Sequence, residues 1–140
     1  MRLHREESGQ TTVLILGLTA IILMLTAAIV SATSVNLQTR QLLADADGAA
    51  SAAAASAQLA GPSPELSDQQ VRAAAEEHLQ EVAADQRHHN LRITTATGTA
   101  DGQTVEVELA AEAELPVLRW VLPATVEVTA GSHARVGVER

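Results

Sequence analysis

The sequence predicts an α+β chain built on one long N-terminal helix, followed by a second helix and a small antiparallel sheet. Three observations predict it. No charged residue occurs between Glu7 and Arg40, and the stretch between them is largely aliphatic. Helical spacing of apolar residues continues past that stretch to about residue 59 and resumes after Ser67. From Leu91 onward the period changes to two.

The aliphatic stretch, residues 11–32, makes a helix of roughly 33 Å at about 1.5 Å per residue, enough for a hydrocarbon core of roughly 30 Å. A helix satisfies its own backbone hydrogen bonds in lipid, so a single span is physically sufficient. The expected organisation is a cytoplasmic head (1–10), a transmembrane helix (11–32) and an extracytoplasmic α+β domain (33–140). Arg2 and Arg5 before the span, against Arg40 after it, favour a cytoplasmic N-terminus. Val30-Ser31-Ala32 would suit a signal peptidase, but the apolar stretch exceeds the usual h-region, so the span is expected to stay uncut.

Gly9 is the expected break before the helix. Val35, Leu42, Ala46, Ala49 and Ala53 then recur at three-, four- and seven-residue steps, and alanine dominates from Ala49 to Ala60. One helix over 11–59 is predicted, ended by Gly61-Pro62-Ser63-Pro64. Ser67 and Gln70 form a capping-box pattern. Val71, Ala75, Leu79 and Val82 line the second helix, which is expected to end near His88-His89-Asn90. Leu91 to Thr95 reads as a short strand, and residues 98–102 as a turn. The clearest strand is 105–115, where Val105, Val107, Leu109, Ala111, Ala113 and Leu115 alternate with mostly glutamate. Pro116 closes it, and an apolar connection runs to Pro123. Val126, Val128 and Ala130, then Ala134, Val136 and Val138, predict one bent strand or two short ones around Gly131-Ser132.

Composition bounds the chemistry. The chain has 140 residues, no cysteine, no lysine, and Trp120 as its sole aromatic. Disulfides, thiolate metal sites and cysteine nucleophiles are excluded. Residues 33–140 carry the whole net charge of −8, which disfavours nucleic acid as a partner. Trp120 could anchor a domain at a membrane interface; a core this poor in large side chains makes burial the favoured reading.

A long helix, half in the membrane and half against a small sheet, is a pilin-like layout. The residues carry a closer resemblance. Arg5-Glu6-Glu7-Ser8-Gly9-Gln10, the apolar run, and then Arg40-Gln41-Leu42-Leu43-Ala44-Asp45-Ala46-Asp47-Gly48-Ala49-Ala50-Ser51-Ala52-Ala53-Ala54 resemble the TadE/TadG-type proteins of tight-adherence (Tad, Flp) pilus assembly, in their small actinobacterial form. Over the rest of the chain the resemblance is one of layout. It implies a non-enzymatic, single-pass membrane component of a Tad/Flp-type pilus or related secretion apparatus, of minor-pseudopilin kind. Its partners would be the membrane and other assembly proteins, with self- or hetero-association through the membrane helix and no cofactor. Flp prepilins carry glutamate five residues after the cleavage glycine. Leu14 stands at that distance from Gly9, so processing there is not expected.

The candidate sites are few. Thr12, Thr19, Thr26 and Thr33 lie seven residues apart, as do Ile15, Ile22 and Ile29, so each set forms a stripe along the helix. Membrane helices associate through small residues and interhelical hydrogen bonds, which makes the threonine stripe a candidate partner face. The competing reading is that each hydroxyl bonds back to the carbonyl four residues earlier. His78, His88 and His89 suggest a metal site only incompletely and are expected to be solvated near a helix C-terminus. Asp45 and Asp47, two apart on a helix, face different sides and cannot share a proton. No nucleophile elbow or phosphate loop occurs. The alternative to an assembly component is a membrane-tethered or secreted binding domain for a soluble ligand.

Overall fold

A computed structural model of the chain describes residues 4–59, 66–117 and 125–136, with side chains from residue 9 onward. The element order is α1 (His4–Leu59), α2 (Asp68–Glu81), a 3-10 turn (Ala84–Gln86), β1 (His89–Ile93), β2 (Thr104–Glu114) and β3 (Thr125–Arg135). The three strands form one antiparallel sheet in the order β1-β2-β3. The expected α+β class therefore holds, with the sheet and α2 packed on the C-terminal half of α1.

α1 starts at His4, earlier than the spacing predicts, and Gly9 lies inside it rather than breaking it. A glycine in a helix interior costs only about 1 kcal/mol relative to alanine. That local penalty is small against the length of the helix, which runs through Gly9 unbroken. Over its second half the predicted stripe is buried: Leu42, Ala46, Ala49 and Ala53 are at most 1% exposed. Alanine there lets the sheet and α2 approach closely. Gly48 marks the tightest point, since a Cβ on it would lie 2.7 Å from the His78 imidazole of α2. The Gly61–Pro64 terminator lies outside the described residues.

α2 opens with the predicted capping box. The Ser67 side chain accepts from the Gln70 N–H, and the Gln70 side chain accepts from the Ser67 N–H. Val71, Ala75 and Leu79 are buried. The helix stops at Glu81, well short of His88. Ala83 takes a left-handed conformation (φ 49°), and the chain turns through Ala84–Gln86 so that His89 and Asn90 already belong to β1. Nothing in the local sequence demands that stop. Asn90 is also left-handed (φ 51°), and the β1–β2 register shifts between His89 and Arg92. Asparagine tolerates this region better than most residues.

β2 follows its predicted alternation except at Ala110, expected on the glutamate face but only 1% exposed. Val105, Val107, Leu109, Ala111 and Ala113 are at most 2% exposed and face α1. β3 pairs with it from Thr104↔Arg135 to Glu114↔Thr125 without a break, so the Gly131-Ser132 step is part of one strand, not a bend between two. Beyond β1, Thr97 extends the pairing with its side chain. Its hydroxyl donates to the Glu108 carbonyl (3.1 Å) and accepts from the Glu108 N–H (2.9 Å).

Side chains lock the layers in place. The Gln38 amide donates to the Glu114 carbonyl and accepts from the Glu114 N–H, both at 3.2 Å. It thereby does for the end of β2 what a neighbouring strand would. Arg72 on α2 donates to the carbonyls of Thr97 (3.1 Å) and Thr95 (2.8 Å), and Asp68 accepts from the Thr99 N–H (2.8 Å). Asp101 closes the turn into β2, accepting from the N–H groups of Gln103 (2.9 Å) and Thr104 (2.6 Å) and from the Thr104 hydroxyl (2.9 Å). Those hydrogen bonds, the Gln103 N–H first, hold its carboxyl below the ordinary carboxylate range.

Candidate functional site

The feature that needs explaining is the first half of α1. Its most apolar window is not covered by any of the described residues of the body. Leu14 and Met24 are 72% and 74% exposed, and the large aliphatic residues from Val13 to Val30 are all exposed, while Ala27 is half-buried and Ser31 buried. Soluble monomers rarely show a contiguous apolar surface of this size. The helix is long and apolar enough to cross a membrane.

The threonine stripe runs along this half. Thr19, Thr26 and Thr33 donate their hydroxyls to the carbonyls of Ile15, Ile22 and Ile29 at 2.8, 2.9 and 2.9 Å. Thr12 heads the same row. The donors at Thr19, Thr26 and Thr33 are thus engaged within the helix. What the stripe offers a neighbouring helix is low relief and spare acceptor lone pairs, in place of hydroxyl donors. Just beyond the row, a shallow groove is lined by Ala32, Thr33, Asn36, Leu37 and Arg40.

His78 lies in the last turn of α2 and His89 is exposed, but His88 departs from the expectation. His88 is buried, and its Nε2 lies 2.7 Å from Asp45 Oδ2 on α1, while Arg87 Nη2 donates to Asp45 Oδ1 at 2.6 Å. It is not a solvated cap, because the early end of α2 folds the Arg87-His88 pair back onto α1. Asp45 flanks the buried stripe of α1 and is held by both. Asp47 is exposed, so the two aspartates are separated as the helical geometry requires. His78 is wedged against Gly48, and His89 lies 3.3 Å from Glu114 at the surface. An aspartate at the edge of an apolar helical stripe was the available signal for the Asp45 cluster; its partners, 42 and 43 residues away, were not legible.

Chemically, the Asp45 cluster is a tether between the α2–β1 turn and α1. Among the described residues no group of three or more His, Asp or Glu side chains could hold a metal ion. An open cleft between α2 and β1 is lined by Glu76, Leu79, Gln80, Asp85, Leu91, Arg92 and Ile93. Trp120 lies outside the described residues.

No family model, no curated protein and no solved structure matches the chain.

Proposed function

We propose that this chain is a non-enzymatic, single-pass membrane component of TadE/TadG-like type, acting in the assembly of a Tad/Flp-type pilus or related secretion apparatus. Its N-terminal head would be cytoplasmic and its body extracytoplasmic. One observation carries the reading: a single 56-residue helix exposes its large aliphatic side chains from Val13 to Val30 and is the core of an α+β body over its second half. Such a helix couples lateral packing in a membrane to a folded head outside it. The bare half supplies insertion, and the Gln38–Glu114 pairing sets the sheet a few residues beyond the end of the apolar run. The rival reading, a tethered binding domain, would place its ligand in the cleft beside Arg92.

Deleting the chain tests the proposal. Surface filaments, or the apparatus-dependent secreted proteins, should disappear from sheared-cell fractions and return on complementation. Unchanged filaments and secretion would contradict it. A reporter active only outside the cytoplasm, fused after Arg140, should be active. The intact mass of the membrane-extracted chain should show neither a cut after Gly9 nor one after Ala32.

A further inference from the structure

The seven-residue spacing of the threonines does not end at Thr33. The next two positions are Arg40 and Asp47, both exposed, and neither forms an ion pair among the described residues. At about 100° per residue they share one helical face, roughly opposite Ala49 and Leu42, where the sheet covers α1. The face is therefore turned away from the chain's own body. Leu37, 58% exposed, and Leu43, 41% exposed, flank the two charges. A seven-residue repeat is the seam along which two helices supercoil.

We infer that this face binds a second copy of the same chain, parallel and displaced by one seven-residue step, with Arg40 of one copy paired to Asp47 of the other. Charge decides the register. In-register copies would set Arg40 against Arg40 and Asp47 against Asp47, two like-charge contacts in succession. A seven-residue displacement replaces both with one opposite-charge contact and still lays threonine against threonine below it.

The displacement is about 10.5 Å at a 1.5 Å rise per residue. Residues 8–39 are uncharged and extend roughly 48 Å, against a hydrocarbon core of roughly 30 Å. Such a contact is heterologous: each pair leaves one Arg40 and one Asp47 free for further copies, so it does not close on itself. This inference rests on the membrane reading of α1 and not on the pilus reading.

Since the chain has no cysteine, disulfide mapping in membranes tests the register. Full-length Asn36→Cys and Leu43→Cys chains, differently tagged and co-expressed, should cross-link to each other on mild oxidation. Each should cross-link to itself only weakly. Arg40→Asp should weaken the Asn36–Leu43 cross-link roughly tenfold, which corresponds to about 1.4 kcal/mol. Combining Arg40→Asp with Asp47→Arg should restore it. Dominant Asn36–Asn36 and Leu43–Leu43 cross-links would overturn the inference, as would no cross-link at all or no rescue by the double reversal. Carbonate extraction reads the membrane reading separately, by whether the chain stays with the membrane pellet.

Discussion

The two halves of α1 are one unbroken helix, yet they meet opposite surroundings. The first half carries leucine, isoleucine, valine and methionine around its circumference, and Leu14 to Met24 lie bare. The second half concentrates alanine on one stripe, and Ala46, Ala49 and Ala50 are fully buried under the sheet and α2. The difference teaches that side-chain size, more than hydrophobicity, sorts the helix. Small residues admit a folded layer at close range. Large ones all round leave no groove for a sheet and suit a fluid apolar solvent. The body then depends on few large buried side chains, with Leu42, Leu109, Val71, Val105 and Val107 prominent among them.

The comparison can be broken most severely at the sheet. Val107→Asp should destabilise the body by about 3–5 kcal/mol, because an unpaired charge would face α1. Glu108→Gln, on the opposite face, should cost less than about 0.5 kcal/mol, since an amide oxygen can still accept from the Thr94 hydroxyl. Thermal unfolding of the detergent-solubilised full chain, followed by circular dichroism, checks both. Equal effects would mean that the face assignment is wrong.

A smaller effect sharpens the size argument. Ala49→Leu adds volume where α1 is fully buried and should cost about 1–3 kcal/mol by overpacking. Leu23→Ala, in the bare half, should leave the unfolding of the body within about 0.5 kcal/mol of the parent. If Leu23→Ala were the more damaging change, the bare half would be part of the body's core.

The smallest effect lies at the turn into β2. Hydrogen bonds to Gln103 and Thr104 depress the Asp101 carboxyl, so ionised Asp101 favours the folded state. A depressed folded value means that its contribution is fully present above the ordinary carboxylate range and is lost as pH falls through the lower folded value. The stability gap between the parent and Asp101→Ala should therefore be constant above about pH 5 and shrink on acidification below that range. A gap that widened on acidification would reverse the assignment.

Much of this was legible in the sequence because it is local. The α1 stripe, the Ser67–Gln70 box and the alternation of β2 each declare themselves within one short stretch of chain. The missed features are set by long-range demands. α2 stops at Glu81 because Ala83 turns left-handed and returns Arg87 and His88 to Asp45, and alanine gives no warning of that conformation. Gly131-Ser132 reads as a break, but the register with Glu108 and Val107 runs straight through it. The threonine row was visible as a row. That Thr19, Thr26 and Thr33 donate to their own helix became clear only from the geometry.

The division of α1 between lipid and protein is the central claim, and spin-label accessibility along the helix tests it most directly. Single labels at Leu16, Leu23 and Gln41, in the full chain reconstituted into bilayers, would be probed with oxygen and with a water-soluble nickel complex. Leu16 and Leu23 should be open to oxygen and closed to nickel, while exposed Gln41 should show the reverse. Nickel access at Leu23 equal to that at Gln41 would contradict the account.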